Sequence, residues 1–261
     1  MINKLKKIIW LRNIYHIINF IGFDPIKNYK FFRFLPRYFL DLLKWKKLGG
    51  KITHIFPILT DFDEESGTAN SQYFHQDLLI ASYIHKNNPK LHVDVASRID
   101  GFVAHVASFR KIKVLDIRPL KSDHENIEFK VHDFMNPYES FKTDSLSCLH
   151  ALEHFGLGRY ADPIDINGFE KGVDSLINCL ETNGILYISF GIGKKDEVHF
   201  NAHRVSDPLT VLKFKSVIEN LKLINFDHID DDCKLHKNTT PEECVGKFNS
   251  GLGIYTFKRL T

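Results

Sequence analysis

The chain has 261 residues, 43% of them hydrophobic and 26% charged, with a formal net charge of +3. These values predict an ordinary soluble globular protein with room for one sizeable domain and an extension. Four cysteines without any CxxC spacing exclude a zinc knuckle and a dithiol redox motif. The charge is uneven. Residues 1–51 hold twelve Lys and Arg against Asp24 and Asp41, a local net of +10, which leaves about −7 for the rest. Such asymmetry points the first segment at an anionic surface or partner.

Residues 1–23 read as a helix with a broad apolar face, and residues 37–48 as a second, shorter one stopped by Gly49-Gly50. Pro25 and Pro36 punctuate the stretch between them. The start resembles a signal peptide in composition, but Arg12, Asn13, His16 and Asn19 interrupt its apolar run. No apolar run reaches the roughly 18–20 residues that a spanning helix needs. A cytoplasmic protein is therefore expected. Residues 1–50 form a basic, aromatic-rich helical extension and residues 51–261 the main domain. The extension suits contact with anionic lipid headgroups at the inner membrane face. It equally suits packing on the main domain or a homodimer contact, and no nucleic-acid-binding module is recognisable.

Residues 61–70 read as a loop, and residues 73–85 as a helix with Phe74, Leu78 and Ala81 at helical spacing. From Leu91 strands and helices alternate. Strands are expected at 91–95, 112–117, 126–132, 144–149, 184–190, 222–229 and 251–258, and helices at 100–110, 166–181 and 207–220. The 166–181 helix carries Phe169, Val173, Leu176, Ile177 and Leu180 on one face. The alternation predicts an α/β fold: a doubly wound, mostly parallel, seven-stranded Rossmann-like sheet with one antiparallel edge.

In such a sheet ligands bind beyond the carboxyl ends of the strands. Asp94, Ala96, Ser97, Arg98, Asp100 and Gly101 follow or end the first strand. Asp116, Ile117 and Arg118 follow the second, with the Asp116 carboxylate placed to hold a ribose. His132, Asp133 and Phe134 follow the third. His150, Glu153 and His154 follow the fourth, and then the loop with Arg159, Tyr160 and Asp162. His203 and Arg204 come after the fifth.

An acid near the first strand, an acid ending the second, an acid after the third and Leu152-Glu153-His154 after the fourth resemble class I S-adenosylmethionine-dependent methyltransferases. The segments VDVASRIDGFVAHVASFR, VLDIRPL, DSLSCLHALEHFGLGRYADPID and HFNAHR are more closely similar to a bacterial family, domain of unknown function family 268, whose genes lie among surface-polysaccharide genes. The resemblance implies S-adenosylmethionine as cofactor and a sugar or glycan hydroxyl as acceptor. It implies Asp116 at the ribose, Asp133 and Phe134 at the adenine, and Asp94 near the ammonium end. The turn formed by Ala96, Ser97, Arg98 and Gly101 would approach the cofactor, with Ile117 and His150 beside it. His154 and His203 are the candidate bases, with Glu153 next to them. Arg159, Tyr160, Asp162 and Arg204 form the acceptor side. No metal is implied by a strict motif, although Glu153, Asp162 and Asp165 offer an alternative divalent site.

The sequence departs from the family where glycines usually stand, at Ala96 and Arg98. Three roles stay open for Arg98: gripping a carboxylate, pairing with Asp100 or Asp94, or filling a degenerate cofactor site. Two rival functions follow. One is a non-catalytic scaffold with a methyltransferase-like fold. The other is a nicotinamide-dependent oxidoreductase, since Asp116 lies 22 residues after Asp94, but GxGxxG and a Tyr-Lys pair are missing.

Overall fold

A computed structural model describes residues 18, 20, 22–64, 66–136 and 141–261. The chain divides into two compact units, Met1–Thr68 and Ala69–Thr261. Residues 51–68, assigned to the main domain from sequence, fall in the first unit. The expected helix over 1–23 lies almost wholly outside the described residues.

In the first unit, one helix, α1 (Pro25–Lys47), replaces the expected break and short helix. Pro25 sits in the first turn, where its missing N–H costs nothing, and the Asp24 carboxylate accepts from the N–H groups of Ile26 and Lys27. Pro36 lies inside the helix and does not end it. Its ring removes one backbone hydrogen bond, a local cost that the turns on both sides outweigh.

The second unit is built on an eight-stranded sheet. Its strands are β1 (His92–Val95), β2 (Ile112–Asp116), β3 (Ile127–Val131), β4 (Thr143–Leu149), β5 (Leu180–Ile192), β8 (Leu221–Ile229), β9 (Leu235–His236) and β10 (Gly251–Arg259). A separate hairpin pairs β6 (Glu197–His199) with β7 (His203–Val205). The sheet order is β3-β2-β1-β4-β5-β10-β8-β9. The first five strands are parallel, and β10 runs antiparallel between β5 and β8. All seven expected strands are present; the eighth is the two-residue β9 at the edge. No strand is expected at the hairpin, because three-residue strands leave too little alternation to detect.

Both faces of the sheet are covered, as a doubly wound fold requires. Adjacent residues of one strand enter opposite cores: Val114 and Ile254 on one side, Leu115 and Tyr255 on the other. The Val114 side packs against α2 (Gln72–Asn87), through Leu79, Ile80 and Ile84, and against Phe102, Val103 and Val106. Phe102 and Val103 belong to a π-helical turn, Ile99–Val103, which runs into the single α-turn α3 (Ala104–Ala107). The Leu115 side packs against α4 (Gly168–Cys179), through Phe169, Val173, Leu176 and Ile177, and against Val217 of α5 (Lys215–Asn220).

Three helices differ from expectation. In α2 the buried face is Gln76, Asp77, Leu79, Ile80, Ala81 and Ile84, whereas Phe74 and Leu78 are exposed. The polar pair turns inward because Gln76 is hydrogen-bonded to Ser189 and Asp77. The expected 100–110 helix is broken at Gly101 (φ −124°, ψ −109°). The expected 207–220 helix is a 3-10 turn, Val211–Lys213, and then α5, separated by an extended Phe214. That extension lets the Phe214 ring reach Phe169, with centroids 5.5 Å apart.

Candidate functional site

β1 lies between β2 and β4, so connections leave its two sides in opposite directions and open a crevice at the carboxyl ends. The residue directly after β1 is Ala96, and directly after β4 is His150. Both have left-handed backbones, at φ 62° and 52°. Non-glycine residues rarely hold this conformation, and such strain clusters at functional sites. At Ala96 the turn demands positive φ, a conformation that glycine adopts at least cost.

Asp94 does not reach the crevice. It is fully buried behind the turn. Its carboxylate accepts from Ser97 N (3.0 Å), Ser97 Oγ (2.7 Å) and Ser147 Oγ (2.6 Å). Ser97 Oγ in turn accepts from Leu149 N at 3.2 Å, which ties the β1 turn to the end of β4. Burial pushes the Asp94 carboxyl up to about 7, although the bonds from Ser147 and Ser97 pull it down. Gly101 also lies away from the crevice. A Cβ there would stand 2.7 Å from Asp77 Oδ2, so this glycine is needed for the approach to α2. Of the three roles open to Arg98, the structure shows pairing with Asp100, through Nε at 3.1 Å and Nη2 at 2.8 Å. The guanidinium also lies 5.5 Å from the Tyr73 ring centroid.

The crevice floor is formed by Val95, Ala96, Leu115, Phe134 and Ala151, and polar groups stand on its walls. Asp116 ends β2 and is nearly buried. Its Oδ1 accepts from Arg118 N (2.8 Å) and Nε (3.0 Å), and its Oδ2 from Arg118 Nη2 (2.5 Å). Arg118 lies over the Tyr160 ring at 4.4 Å. Ile117 lines the same wall. Asp133 accepts from Met135 N (2.9 Å) and Asn136 Nδ2 (3.1 Å), a turn that places Phe134 in the floor.

His150 is shared by the crevice and by a second lobe that contains Gln72, Tyr73, Arg159 and His203. Its ring packs on Tyr73, centroids 4.4 Å apart, and its Nδ1 is 3.1 Å from Glu153 Oε1. Among the described residues, His150 Nε2 and Glu153 Oε2 are buried without a hydrogen-bond partner. Unsatisfied buried polar atoms in a cleft mark a place built for a ligand. Burial alone raises the Glu153 carboxyl, but the hydrogen bond from His150 and the nearby imidazoles outweigh it and hold Glu153 below the ordinary value. His154 Nδ1 lies 2.7 Å from Ala202 O, so this nitrogen donates and Nε2 is left as the basic atom, 4.0 Å from Glu153 Oε1. Burial holds His154 below its usual value, hence neutral near pH 7. His203 lies 5.0 Å from His199, ring to ring, and burial lowers it too.

The acceptor-side residues separate into two kinds. Tyr160 faces the crevice, 5.7 Å from the His154 ring, and Arg159 binds Ala202 O at 2.8 Å. Asp162 and Arg204 hold the backbone. Asp162 accepts from the N–H groups of Gly156 (2.9 Å), Gly158 (3.1 Å) and Tyr160 (3.0 Å). Arg204 Nη1 donates to Phe155 O at 2.6 Å. Asp165 is held by Lys171 at 2.5 Å. No group of three His, Cys, Asp or Glu able to hold a metal occurs among the described residues. Gln72 and Tyr73, absent from the expected set, are supplied by the first turn of α2; ordinary helix periodicity carries no signal for them.

The geometry can be set beside known proteins. A family model described as "Caenorhabditis protein of unknown function, DUF268" matches residues 104–229. That description names no bacterial or polysaccharide setting, and the setting expected from sequence gains no support from it. No curated protein matches the sequence. Among solved structures, N-methyltransferase NodS from Bradyrhizobium japonicum WM9, in complex with S-adenosyl-L-homocysteine, is similar with a TM-score of 0.50 and 11% identity over 72% of this chain and 88% of that one. The 1,6-didemethyltoxoflavin-N1-methyltransferase of Burkholderia thailandensis, with 1,6-didemethyltoxoflavin and S-adenosylhomocysteine bound, gives 0.50 and 11% over 71% and 78%. The fold is that of class I S-adenosylmethionine-dependent methyltransferases. The [4+2]-cyclase SpnF is similar as well, at 0.51 and 11% over 85% and 93%. Chemistry on a class I fold is therefore decided by the groups in the crevice.

Proposed function

We propose that this chain is an S-adenosylmethionine-dependent methyltransferase whose acceptor is a hydroxyl of a sugar or polysaccharide precursor. The observation that carries it is the unpartnered pair His150 Nε2 and Glu153 Oε2, buried at the junction of the crevice and the second lobe. The residues fit the cofactor. Asp116 Oδ2 keeps a lone pair for a ribose hydroxyl beside the bond from Arg118, and the second hydroxyl displaces Arg118 from Oδ1. Both Asp133 oxygens keep acceptor capacity next to the flat Phe134 ring.

Bound in this crevice, S-adenosylmethionine supplies an electrophilic methyl group whose carbon–sulfur bonding pair leaves with sulfur. The chain supplies position and a base. Glu153 accepts from His150 Nδ1, which fixes Nε2 as the lone-pair nitrogen and stabilises the imidazolium that forms. The acceptor hydroxyl gives its proton to His150 Nε2 as its oxygen bonds to the methyl carbon. Neutral His154, its tautomer set by Ala202 O, lines both the crevice and the second lobe and orients the acceptor there. Gln72, Tyr73, Arg159 and His203 line the second lobe with polar groups and rings, which suits a hydroxyl-rich acceptor.

The test is transfer of labelled methyl groups from S-adenosylmethionine to nucleotide sugars and lipid-linked sugars. Labelled sugar is expected. His150→Gln should lower transfer by about a hundredfold or more, with binding of S-adenosylhomocysteine retained. Cofactor binding without label on any sugar would overturn the acceptor class. Binding of NAD(H) in its place would favour the oxidoreductase reading.

A further inference from the structure

The first unit carries a feature that the crevice does not use. Helix α1 buries one described residue, Phe34, whose ring lies 5.2 Å from Phe62. At about 100° per residue, Tyr29, Phe32, Pro36, Phe39, Leu40 and Leu43 form a stripe on the side opposite Phe34. All six are exposed, Phe32 by 72% and Leu40 by 67%. Exposed apolar stripes of this length are rare on a free protein surface.

The borders of the stripe are basic. Arg33, Arg37 and Lys44 run along one side, and Lys46 and Lys47 close the last turn around an exposed Trp45. Asp41 is the single acid in the helix. Lys30, on the inward side, is held by Asp63 and Glu64. Arg33 and Arg37 also meet acids, Asp63 at 4.0 Å and Asp41 at 3.7 Å, so Lys44, Lys46 and Lys47 are the rim cations that stand clear of an acid among the described residues.

We propose that α1 lies in the surface of an anionic lipid bilayer, with the stripe in the headgroup–acyl boundary and the rim cations on lipid phosphates and carboxylates. An apolar face that includes Tyr29 and is bordered by cations matches that interface in both of its layers. Among the described residues no helix is long and apolar enough to cross a membrane, so the contact is parallel to the surface. A second copy of the chain would bring a like-charged rim against this one. Duplex nucleic acid would leave the aliphatic stripe without a partner.

The experiment is co-sedimentation of the full chain with phosphatidylcholine vesicles, with and without phosphatidylserine, at low and high salt. Binding is expected on the anionic vesicles, falling with salt. Lys44→Glu with Lys46→Glu and Lys47→Glu should weaken it on the order of a hundredfold, about fivefold for each lost cation. Phe32→Ser with Leu40→Ser and Leu43→Ser should abolish it while circular dichroism keeps its helical signal. The lysine variant decides the matter if the stripe variant fails to fold. Three results overturn the proposal: equal binding to both vesicle types, full binding by the lysine variant, or a dimer in sedimentation velocity that the stripe substitutions dissociate. Release of the chain from vesicles by duplex DNA at equal charge would assign the rim to nucleic acid instead.

Discussion

The pairing of Asp116 with Arg118 makes a quantitative prediction for cofactor affinity. In the free protein Arg118 engages both carboxylate oxygens through three nitrogens, at 2.5–3.0 Å. A ribose diol bound there makes two charge-assisted hydrogen bonds, each about 1.5–3 kcal/mol. It must first loosen an ion pair whose arginine is 47% exposed, which costs about 1 kcal/mol. The net contribution of Asp116 is then about 2–5 kcal/mol. Asp116→Ala should weaken S-adenosylhomocysteine about thirtyfold or more, measured by isothermal titration calorimetry. Arg118→Ala removes the competitor and should tighten binding about fivefold. The double variant should match Asp116→Ala, because Arg118 then has no carboxylate to block. Unchanged affinity in Asp116→Ala refutes the ribose placement. A loss in Arg118→Ala as large as that in Asp116→Ala refutes competition and makes Arg118 a ligand-binding group.

Three further outcomes follow from the same geometry. Ala96→Gly, at φ 62°, should raise stability by up to about 1 kcal/mol in thermal denaturation, because the left-handed strain disappears; a clear loss contradicts the reading of this turn. Asp162→Ala removes the acceptor of three backbone N–H groups and should cost about 2 kcal/mol, seen as a lower urea midpoint; an unchanged midpoint would return Asp162 to the acceptor site. The Asp94 carboxyl, raised to about 7 by burial, favours the folded state fully below its unfolded value near 4 and progressively less as pH rises through 7. Its contribution therefore falls by about 1.4 kcal/mol per pH unit across that window. Urea titrations should show Asp94→Asn gaining on the wild type between pH 4 and 7, and a constant difference contradicts it.

Strand positions were legible because period-two burial and terminal turn residues reinforce each other; Val114 and Leu115 enter opposite cores as the alternation requires. The crevice was legible for the same reason: strand ends place Asp116, Asp133 and His150 by topology alone. Partner choice was not legible. Periodicity reports which face is buried, but not that Arg118 folds back on Asp116, that Asp162 staples its own loop, or that Glu153 is buried between two histidines. Helix continuity through Pro36 and the break at Phe214 were misread for a related reason. The first rests on the helical turns either side of the proline, the second on the packing of Phe214 against Phe169. Gly101 looked like the remnant of a cofactor turn, yet it serves the contact with Asp77.

The most direct test of the central claim is a calorimetric titration of the full chain with S-adenosylmethionine, with NAD(H) titrated separately. One saturable site for S-adenosylmethionine and none for NAD(H) is predicted. Absence of binding by S-adenosylmethionine would contradict it and leave a class I fold that serves as a scaffold.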